Sequence, residues 1–133
     1  MIRLEHLGIA VSDLERSVPL YETLLNTLCY KTETVERENV RTAFFKVGDT
    51  KIELLESTTD NGVIRRFIDS RGEGMHHIAF EVADIGAEIE RLQQEGFQII
   101  DPVPKPGADN KMICFVHPKQ TNGVLIELCQ ERV

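Results

Sequence analysis

Two histidines and two glutamates occupy matching positions in two halves of the chain. The first half carries His6 in HLGIAV and Glu53 in KIELLE, and the second carries His77 in HIAFEV and Glu127 in VLIELC. The offset from position 6 to position 77 is 71, and the offset from 53 to 127 is 74. Imidazole nitrogens and carboxylate oxygens are donors that bind first-row divalent metal ions. The pattern predicts one set of ligands, drawn equally from both halves.

The alternation of side chains along a β-strand places these four residues on the face opposite the apolar residues. Successive side chains of a strand point to opposite faces. In each of the four predicted strands the apolar residues alternate with the candidate ligand, so His6, Glu53, His77 and Glu127 all face away from the apolar side. His76 immediately precedes His77, and the same alternation turns it toward the apolar side. We therefore interpret His76 as a structural residue.

Taken singly, each residue has an ordinary interpretation as a hydrogen-bonded histidine or a solvent-facing glutamate. An ionised glutamate turned inward needs a partner, however, and a divalent cation is one. Two imidazoles and two carboxylates suit a six-coordinate ion with two open positions, such as Co²⁺, Mn²⁺, Ni²⁺ or Fe²⁺, better than a closed structural zinc site. Two adjacent open positions can chelate a substrate with neighbouring oxygens and stabilise an enolate. The predicted chemistry is proton abstraction beside a carbonyl.

The elements that position these residues are themselves repeated. The segment LEHLGIAVSDLERSVPLYETL resembles MHHIAFEVADIGAEIERLQQE, and each half shows the pattern strand, helix, then further strands. A module of about 60 residues buries too little surface to be stable alone, so we expect the two to share one core. We predict a single α+β domain, residues 1–133, with βαβββ modules at about 1–57 and 75–133 and a linker helix within 58–74. The fold predicted is a curved sheet cleft with the helices outside.

The element boundaries follow from apolar spacing and from turn residues. Asp13 or Ser12 is the predicted cap of the first helix and Asp84 of the second, which ends at Gly96. Residues 101–110 contain three prolines and one glycine and are predicted to be a loop. Strands are predicted at 4–11, 29–35, 40–47, 51–56, 97–100, 112–117 and 124–130. The predicted packing face of the first helix comprises Leu14, Val18, Tyr21, Leu24 and Leu25.

Composition excludes several classes of function. The chain has 15 basic and 22 acidic residues and a net charge of −7, which argues against nucleic acid or an anionic membrane as a partner. The apolar runs are too short to span a membrane, and the N-terminus lacks a signal-peptide core, so we expect a cytoplasmic protein. Cys29, Cys114 and Cys129 are odd in number and form no C-x-x-C pair, which predicts packing roles for reduced thiols.

Four segments resemble the methylmalonyl-CoA epimerases of the vicinal-oxygen-chelate (glyoxalase-like) superfamily. They are HLGIAVSDLERSVPLYETLL, GDTKIELLES, GEGMHHIAFEVADI and HPKQTNGVLIELCQ, and the resemblance covers essentially the whole chain. The metal ligands of that family fall on His6, Glu53, His77 and Glu127. A glutamate that some members are thought to use as a base falls on Thr42, which cannot act as a base at neutral pH.

The resemblance implies a metal-dependent epimerase that interconverts (R)- and (S)-methylmalonyl-CoA through a metal-stabilised enolate. Glu127 would combine metal ligation with proton transfer, the partner would be an acyl-CoA substrate, and the protein would be a homodimer. The segment His117-Pro118-Lys119 and the loop around Lys105, Gly107 and Lys111 are candidates for contacts to the CoA phosphates. The alternative for both is an ordinary solvated loop.

Two other functions compete with this interpretation. Glyoxalase I (lactoylglutathione lyase) is similar in fold, metal and proton-transfer chemistry, although GEGMHHIAFEV and the HPKQTNGVLIELC ending favour the epimerase. A non-catalytic small-molecule-binding member of the superfamily would commonly lack the full set of ligands, which this chain has. Ring-cleaving dioxygenases generally need a longer chain and a site of two histidines and one carboxylate.

Overall fold

The computed structural model describes residues 1–132 and is of the predicted α+β class. Two short 3₁₀ turns, Glu36–Glu38 and Pro118–Gln120, accompany the main elements. The helices are α1 (Leu14–Leu25), α2 (Val63–Arg71) and α3 (Ile85–Gln94). The strands are β1 (Arg3–Ala10), β2 (Lys31–Val35), β3 (Val40–Val47), β4 (Thr50–Ser57), β5 (Gly74–Glu81), β6 (Lys105–Pro106), β7 (Lys111–Val116) and β8 (Ile126–Glu131).

The chain forms two compact units. The N-terminal unit is His6–His76, and the C-terminal unit combines Met1–Glu5 with the chain from His77 onward. In each unit a helix follows the first strand and precedes three further strands, so the predicted βαβββ repeat is confirmed.

In the N-terminal unit the strand order is β2-β3-β4-β1. Strands β1 and β4 are parallel, whereas the β2–β3 and β3–β4 pairs are antiparallel. Helix α1 packs on one face of this sheet, where the buried side chains are Val11, Leu14, Ala43, Phe45 and Leu54. Helix α2 packs on the opposite face at one end of the strands, where the buried side chains are Ala10, Val40, Leu55 and Ile64.

In the C-terminal unit the strand order is β5-β8-β7-β6. Strands β5 and β8 are parallel, and the β8–β7 and β7–β6 pairs are antiparallel. Helix α3 contributes the predicted residues Ile85, Ile89 and Leu92 to a core with Val116 and Leu128. The arrangement of strands therefore repeats that of the N-terminal unit.

Both helices that follow a first strand begin at an aspartate cap. The Asp13 carboxylate accepts the N–H of Glu15, and the Asp84 carboxylate accepts the N–H of Ala87, each at 3.0 Å. These bonds satisfy backbone donors that have no partner inside the helix. The predicted caps are confirmed, and Asp13 rather than Ser12 is the first of them.

Four predictions about local structure were wrong. Leu24 is 70% exposed, because the packing stripe through Leu14, Val18 and Tyr21 lies almost a quarter-turn away around the helix. The predicted strand at 97–100 is reduced to an isolated β-bridge between Ile99 and Val116. Extended backbone stops at the next residues, because Asp101 has a φ of 127°. The loop 101–110 contains the two-residue strand β6, and Val124 precedes β8 in a turn.

Within residues 1–132, none of the helices combines the length and the apolar character that crossing a membrane requires.

Candidate metal centre and proton-transfer site

The N-terminal unit carries the first pair of predicted ligands on adjacent parallel strands. His6 lies on β1 and Glu53 on β4, and the His6 Nε2 atom is 3.5 Å from Glu53 Oε1. Register explains this proximity, since Glu53 is paired with Gly8, two residues after His6 on the same face of β1. Both side chains are buried, at 6% and 4% exposure.

The C-terminal unit repeats this arrangement with the second pair. His77 lies on β5 and Glu127 on β8, and the His77 Nε2 atom is 3.4 Å from Glu127 Oε1. Glu127 is paired with Ala79, again two residues after the histidine on a parallel strand. These side chains are also buried, at 4% and 5% exposure. The structure thus buries all four predicted ligands and places the histidine of each half beside its glutamate, while their role as one set of metal ligands stays a prediction.

Each glutamate has a small residue on one side and a phenylalanine on the other. Gly8 flanks Glu53 and Ala79 flanks Glu127 on the parallel neighbour, while Phe44 and Phe115 are their partners on the antiparallel neighbour. The Phe115 ring also meets the His77 imidazole edge-on, with ring centroids 6.1 Å apart. Each glutamate thus lies between a residue with little or no side chain and an aromatic residue on the neighbouring strands.

The sequence patterns did not predict that these two phenylalanines would lie beside the glutamates. Phe44 and Phe115 are separated by 71 residues, the same offset that relates His6 to His77. That offset was the available signal, but a phenylalanine in a strand is far more often a core residue. Only the pairing register shows that each faces a glutamate.

The donor atoms of each pair fit a divalent metal ion. Ligands of one ion with bonds of about 2.0–2.2 Å, at angles of about 90–110°, have donor atoms about 2.8–3.6 Å apart. The separations of 3.5 Å and 3.4 Å fall in this range. Each pair can therefore supply one nitrogen and one oxygen to a metal.

His76 occupies a different environment from its neighbour His77. Its ring packs edge-on against Phe67 of α2, with centroids 4.9 Å apart. Burial lowers the His76 pKa to about 4, and the nearby Arg71 guanidinium lowers it further in the same direction. The interpretation of His76 as a neutral, structural residue agrees with this packing.

Comparison with known proteins identifies the family. The model of the Glyoxalase/Bleomycin resistance protein/Dioxygenase superfamily matches residues 5–115. The mitochondrial methylmalonyl-CoA epimerase of Dictyostelium discoideum is 39% identical over 127 residues, which span 95% of this chain and 76% of that protein. The chain belongs to the methylmalonyl-CoA epimerase family of this superfamily.

Two further relatives extend the match to full length. The ethylmalonyl-CoA/methylmalonyl-CoA epimerase of Cereibacter sphaeroides is 37% identical, over 96% of this chain and 97% of that protein. A variant of the Streptomyces coelicolor methylmalonyl-CoA epimerase, solved in complex with 2-nitronate-propionyl-CoA, is 32% identical with a TM-score of 0.95. It covers all of this chain, and 96% of that chain is covered in turn. The predicted glyoxalase-like fold is thereby confirmed.

Thr42 shares a sheet face with Glu53. It lies on β3 two residues from Phe44, which is the direct partner of Glu53. The Thr42 side chain is fully buried, and its hydroxyl donates a 3.4 Å hydrogen bond to the backbone carbonyl of Glu33 on β2. The Thr42 hydroxyl is thus engaged within the sheet.

The residues predicted to contact CoA phosphates have mixed environments. Lys111 lies in β7 rather than in a loop, is 3% exposed, and its Nζ atom is 3.0 Å from Glu131. Lys105 is exposed and pairs with Asp101. The His117 Nδ1 atom accepts the N–H of Lys119 and so caps the 3₁₀ turn that follows it. The solvated-loop prediction was wrong for Lys111.

The buried cysteines have no nucleophilic character at neutral pH. Burial raises the Cys114 thiol pKa to about 12, and the nearby Glu127 carboxylate raises it further. The Cys129 thiol pKa is also raised, first by burial and then by Glu127. The prediction that these thiols have packing roles agrees with their positions in the core.

Proposed function

We propose that this protein is a methylmalonyl-CoA epimerase that interconverts (R)- and (S)-methylmalonyl-CoA by moving the proton at C2. The observation that carries the proposal is the repeated, buried His–Glu pair in a chain related over its whole length to enzymes with this name. Enzymes that remove a proton beside a carbonyl must stabilise the negative charge that develops on its oxygen.

The four residues proposed to hold a divalent ion are His6, Glu53, His77 and Glu127. When bound, the ion supplies Lewis-acid stabilisation of charge on the substrate oxygens. Co²⁺, Mn²⁺ and Ni²⁺ suit two imidazoles and two carboxylates. The N···O separations of 3.5 Å and 3.4 Å within the two pairs support this assignment.

Glu127 is the proposed proton-transfer residue as well as a ligand. A carboxylate has two oxygens, so one can serve the metal while the other faces the C2 proton. Phe115 and Ala79 on the neighbouring strands provide apolar surroundings for such a carboxylate. Removal and return of a proton at opposite faces of C2 needs a second donor, and Thr42 is not a base. We propose that solvent returns the proton on that face.

An acyl-CoA is the proposed substrate class. The Streptomyces coelicolor relative is in complex with 2-nitronate-propionyl-CoA, which supports a CoA thioester as ligand. Methylmalonyl-CoA offers a carboxylate oxygen and a thioester oxygen attached to carbons on either side of C2. These are the oxygens on which an ion held by the four residues would supply Lewis-acid stabilisation.

The proposal is tested by incubating the metal-loaded enzyme with methylmalonyl-CoA in D2O. Deuterium should enter C2, and the two epimers should interconvert, as followed by NMR and chiral analysis. The hemithioacetal of glutathione and methylglyoxal is the control substrate, and it should not react. Turnover of the hemithioacetal without exchange at C2 would make the protein a lactoylglutathione lyase and overturn the proposal.

A further inference from the structure

In the N-terminal unit, the first N–H group of helix α1 is bound by a side chain of the sheet. Leu14 is the first residue of α1, and its N–H donates to Glu56 Oε2 at 2.9 Å. Glu56 lies on β4, three residues after the candidate ligand Glu53. Just before the helix, the Val11 N–H donates to the Leu55 carbonyl at 2.9 Å and extends the β1–β4 ladder by one bond. The Glu56 bond therefore ties the end of this ladder to the start of the helix.

The C-terminal unit contains the same two bonds at equivalent positions. Ile85, the first residue of α3, donates its N–H to Gln130 Oε1 at 2.7 Å. Gln130 lies on β8, three residues after the candidate ligand glutamate of this unit. The Val82 N–H donates to the Cys129 carbonyl at 2.9 Å. The two side-chain acceptors are 74 residues apart, the same offset that relates the two candidate ligand glutamates. The bond thus occurs in both units, although the acceptor is a carboxylate in one and a carboxamide in the other.

These bonds are distinct from the aspartate caps of the same helices. Asp13 and Asp84 each accept a different N–H group of the first turn, and each comes from the chain that leads into its own helix. The first N–H groups of a helix have no partner inside it, so the sheet side chain satisfies a donor other than the one that the aspartate binds. Leu14 and Ile85 are also buried in the two cores. Each helix start is thus fixed to its sheet by a hydrogen bond and by an apolar side chain.

The register of each parallel ladder decides where the candidate ligands lie. The ladders are short, with five residue pairs between β1 and β4 and four between β5 and β8. A slip by one residue would turn Glu53 to the opposite face of the sheet. A slip by two would keep the face but move Glu53 about 6.6 Å along the strand from its place beside His6. The 3.5 Å separation between His6 and Glu53 therefore requires this one register.

We propose that Glu56 and Gln130 are positioning residues that hold the two parallel ladders in register and so keep each histidine beside its glutamate. This inference rests on the proposed function, in which these pairs bind a divalent ion. Without the Glu56 bond, the β1–β4 ladder opens at its end in the metal-free chain, and metal binding must restore its order. The bond therefore contributes to metal affinity, although residues three apart on a strand place Glu56 and Glu53 on opposite faces.

The test compares Glu56→Ala with Asp13→Ala, which removes the other cap of the same helix. Both variants lose one hydrogen bond at the start of α1, but only Glu56→Ala cuts the link to β4. Titration of the metal-free protein with Co²⁺ should show affinity about five- to tenfold weaker for Glu56→Ala, the equivalent of one hydrogen bond. The visible absorption spectrum of bound Co²⁺ should also change. Asp13→Ala should bind Co²⁺ within twofold of wild type and keep its spectrum.

The repeat itself supplies a conservative variant. Glu56→Gln installs the acceptor that the C-terminal unit already uses, so Co²⁺ affinity should stay within twofold of wild type. Gln130→Ala applies the test to the other unit and should weaken Co²⁺ binding as Glu56→Ala does. The proposal is overturned if Glu56→Ala and Gln130→Ala keep wild-type affinity and spectrum, if Asp13→Ala weakens binding as much, or if Glu56→Gln loses as much affinity as Glu56→Ala.

Amide hydrogen exchange of the metal-free protein separates this proposal from the proposed function. The Val11 amide proton, which is bonded to the Leu55 carbonyl, should exchange about five- to tenfold faster in Glu56→Ala than in wild type or Asp13→Ala. Unchanged exchange at Val11 in Glu56→Ala would refute the register role. Failure of the wild-type protein to bind Co²⁺ or to exchange the C2 proton would instead refute the proposed function.

Discussion

The Nε2 atom of His77 lies 3.4 Å from the Oε1 atom of Glu127, and the His6–Glu53 pair repeats this relationship at 3.5 Å. In both units the glutamate is the register partner of the residue two positions after the histidine on a parallel strand. The same local geometry is therefore built twice by the same pairing rule. Substitutions in either pair should therefore lower metal occupancy, and substitution of Glu127 should in addition impair proton transfer.

Thr42→Val should lower the catalytic rate far less than the loss of a general base would. The variant loses a hydroxyl that donates to the Glu33 carbonyl, and the free energy of unfolding should fall by about 1 kcal/mol. We expect the rate to fall by about tenfold at most, whereas loss of a general base would lower it by about 10²–10⁴-fold.

The measurement is the rate of C2 deuterium exchange from each enantiomer of methylmalonyl-CoA separately. With one carboxylate base and solvent on the other face, the two enantiomers should exchange at unequal rates in the wild-type enzyme. Thr42→Glu is the converse variant, and a large gain in rate would identify the position as a vacant base site. A loss beyond about a thousandfold for one enantiomer of Thr42→Val would contradict the assignment.

His76 should make stability depend on pH below neutrality. Its folded-state pKa is about 4, against an ordinary value of 6.5, so the unfolded chain takes up the proton first as the pH falls. Above pH 6.5 His76 is neutral in both the folded and the unfolded chain, and it takes nothing from the free energy of unfolding. As the pH falls from 6.5 to about 4, protonation of the unfolded chain progressively lowers the free energy of unfolding. Between pH 7 and pH 5 the loss should be about 1–2 kcal/mol.

This effect is measured by urea unfolding of the metal-free protein, with His76→Gln as the reference. The difference in unfolding free energy between wild type and variant should shrink as the pH is lowered, because glutamine does not titrate. A difference that stays constant from pH 7 to pH 5 would show that His76 has an ordinary pKa.

The two buried thiols should resist modification in the folded protein. With the Cys114 pKa raised to about 12, almost none of its thiolate is present at pH 8. Iodoacetamide at this pH should label Cys114 and Cys129 only after unfolding, as followed by mass spectrometry of the digested protein. Rapid labelling of either residue in the native state would contradict the buried environment described above.

Sequence patterns predicted much of this fold because the relevant signals are local. The strand at Val40–Val47 has the predicted bounds, and both aspartate caps lie where spacing placed them. Alternation within a strand separated His77 from His76 and turned all four candidate ligands away from the apolar side, whereas the pairing of each histidine with its glutamate came from the structure.

The features that sequence did not predict depend on partners distant in the chain. The burial of Lys111 arises where β7 pairs with β8 and brings Glu131 to its Nζ atom. The alignment of Phe44 with Glu53 is likewise set by ladder register. Local spacing cannot fix such pairings, since they depend on which strands become neighbours.

We propose that the two His–Glu pairs together hold one ion. The most direct test is the metal stoichiometry of purified protein, determined by mass spectrometry of the metal and by titration of the metal-free chain with Co²⁺. Wild type should bind one ion per chain, and His6→Ala and His77→Ala should each lose nearly all of it, while His76→Ala retains it.

Two ions per chain, with His6→Ala and His77→Ala each losing one, would contradict the account by showing that each pair binds its own metal. Full retention of metal by either variant would exclude that histidine as a ligand. The predicted result is one Co²⁺ per chain, removed by a single substitution in either half.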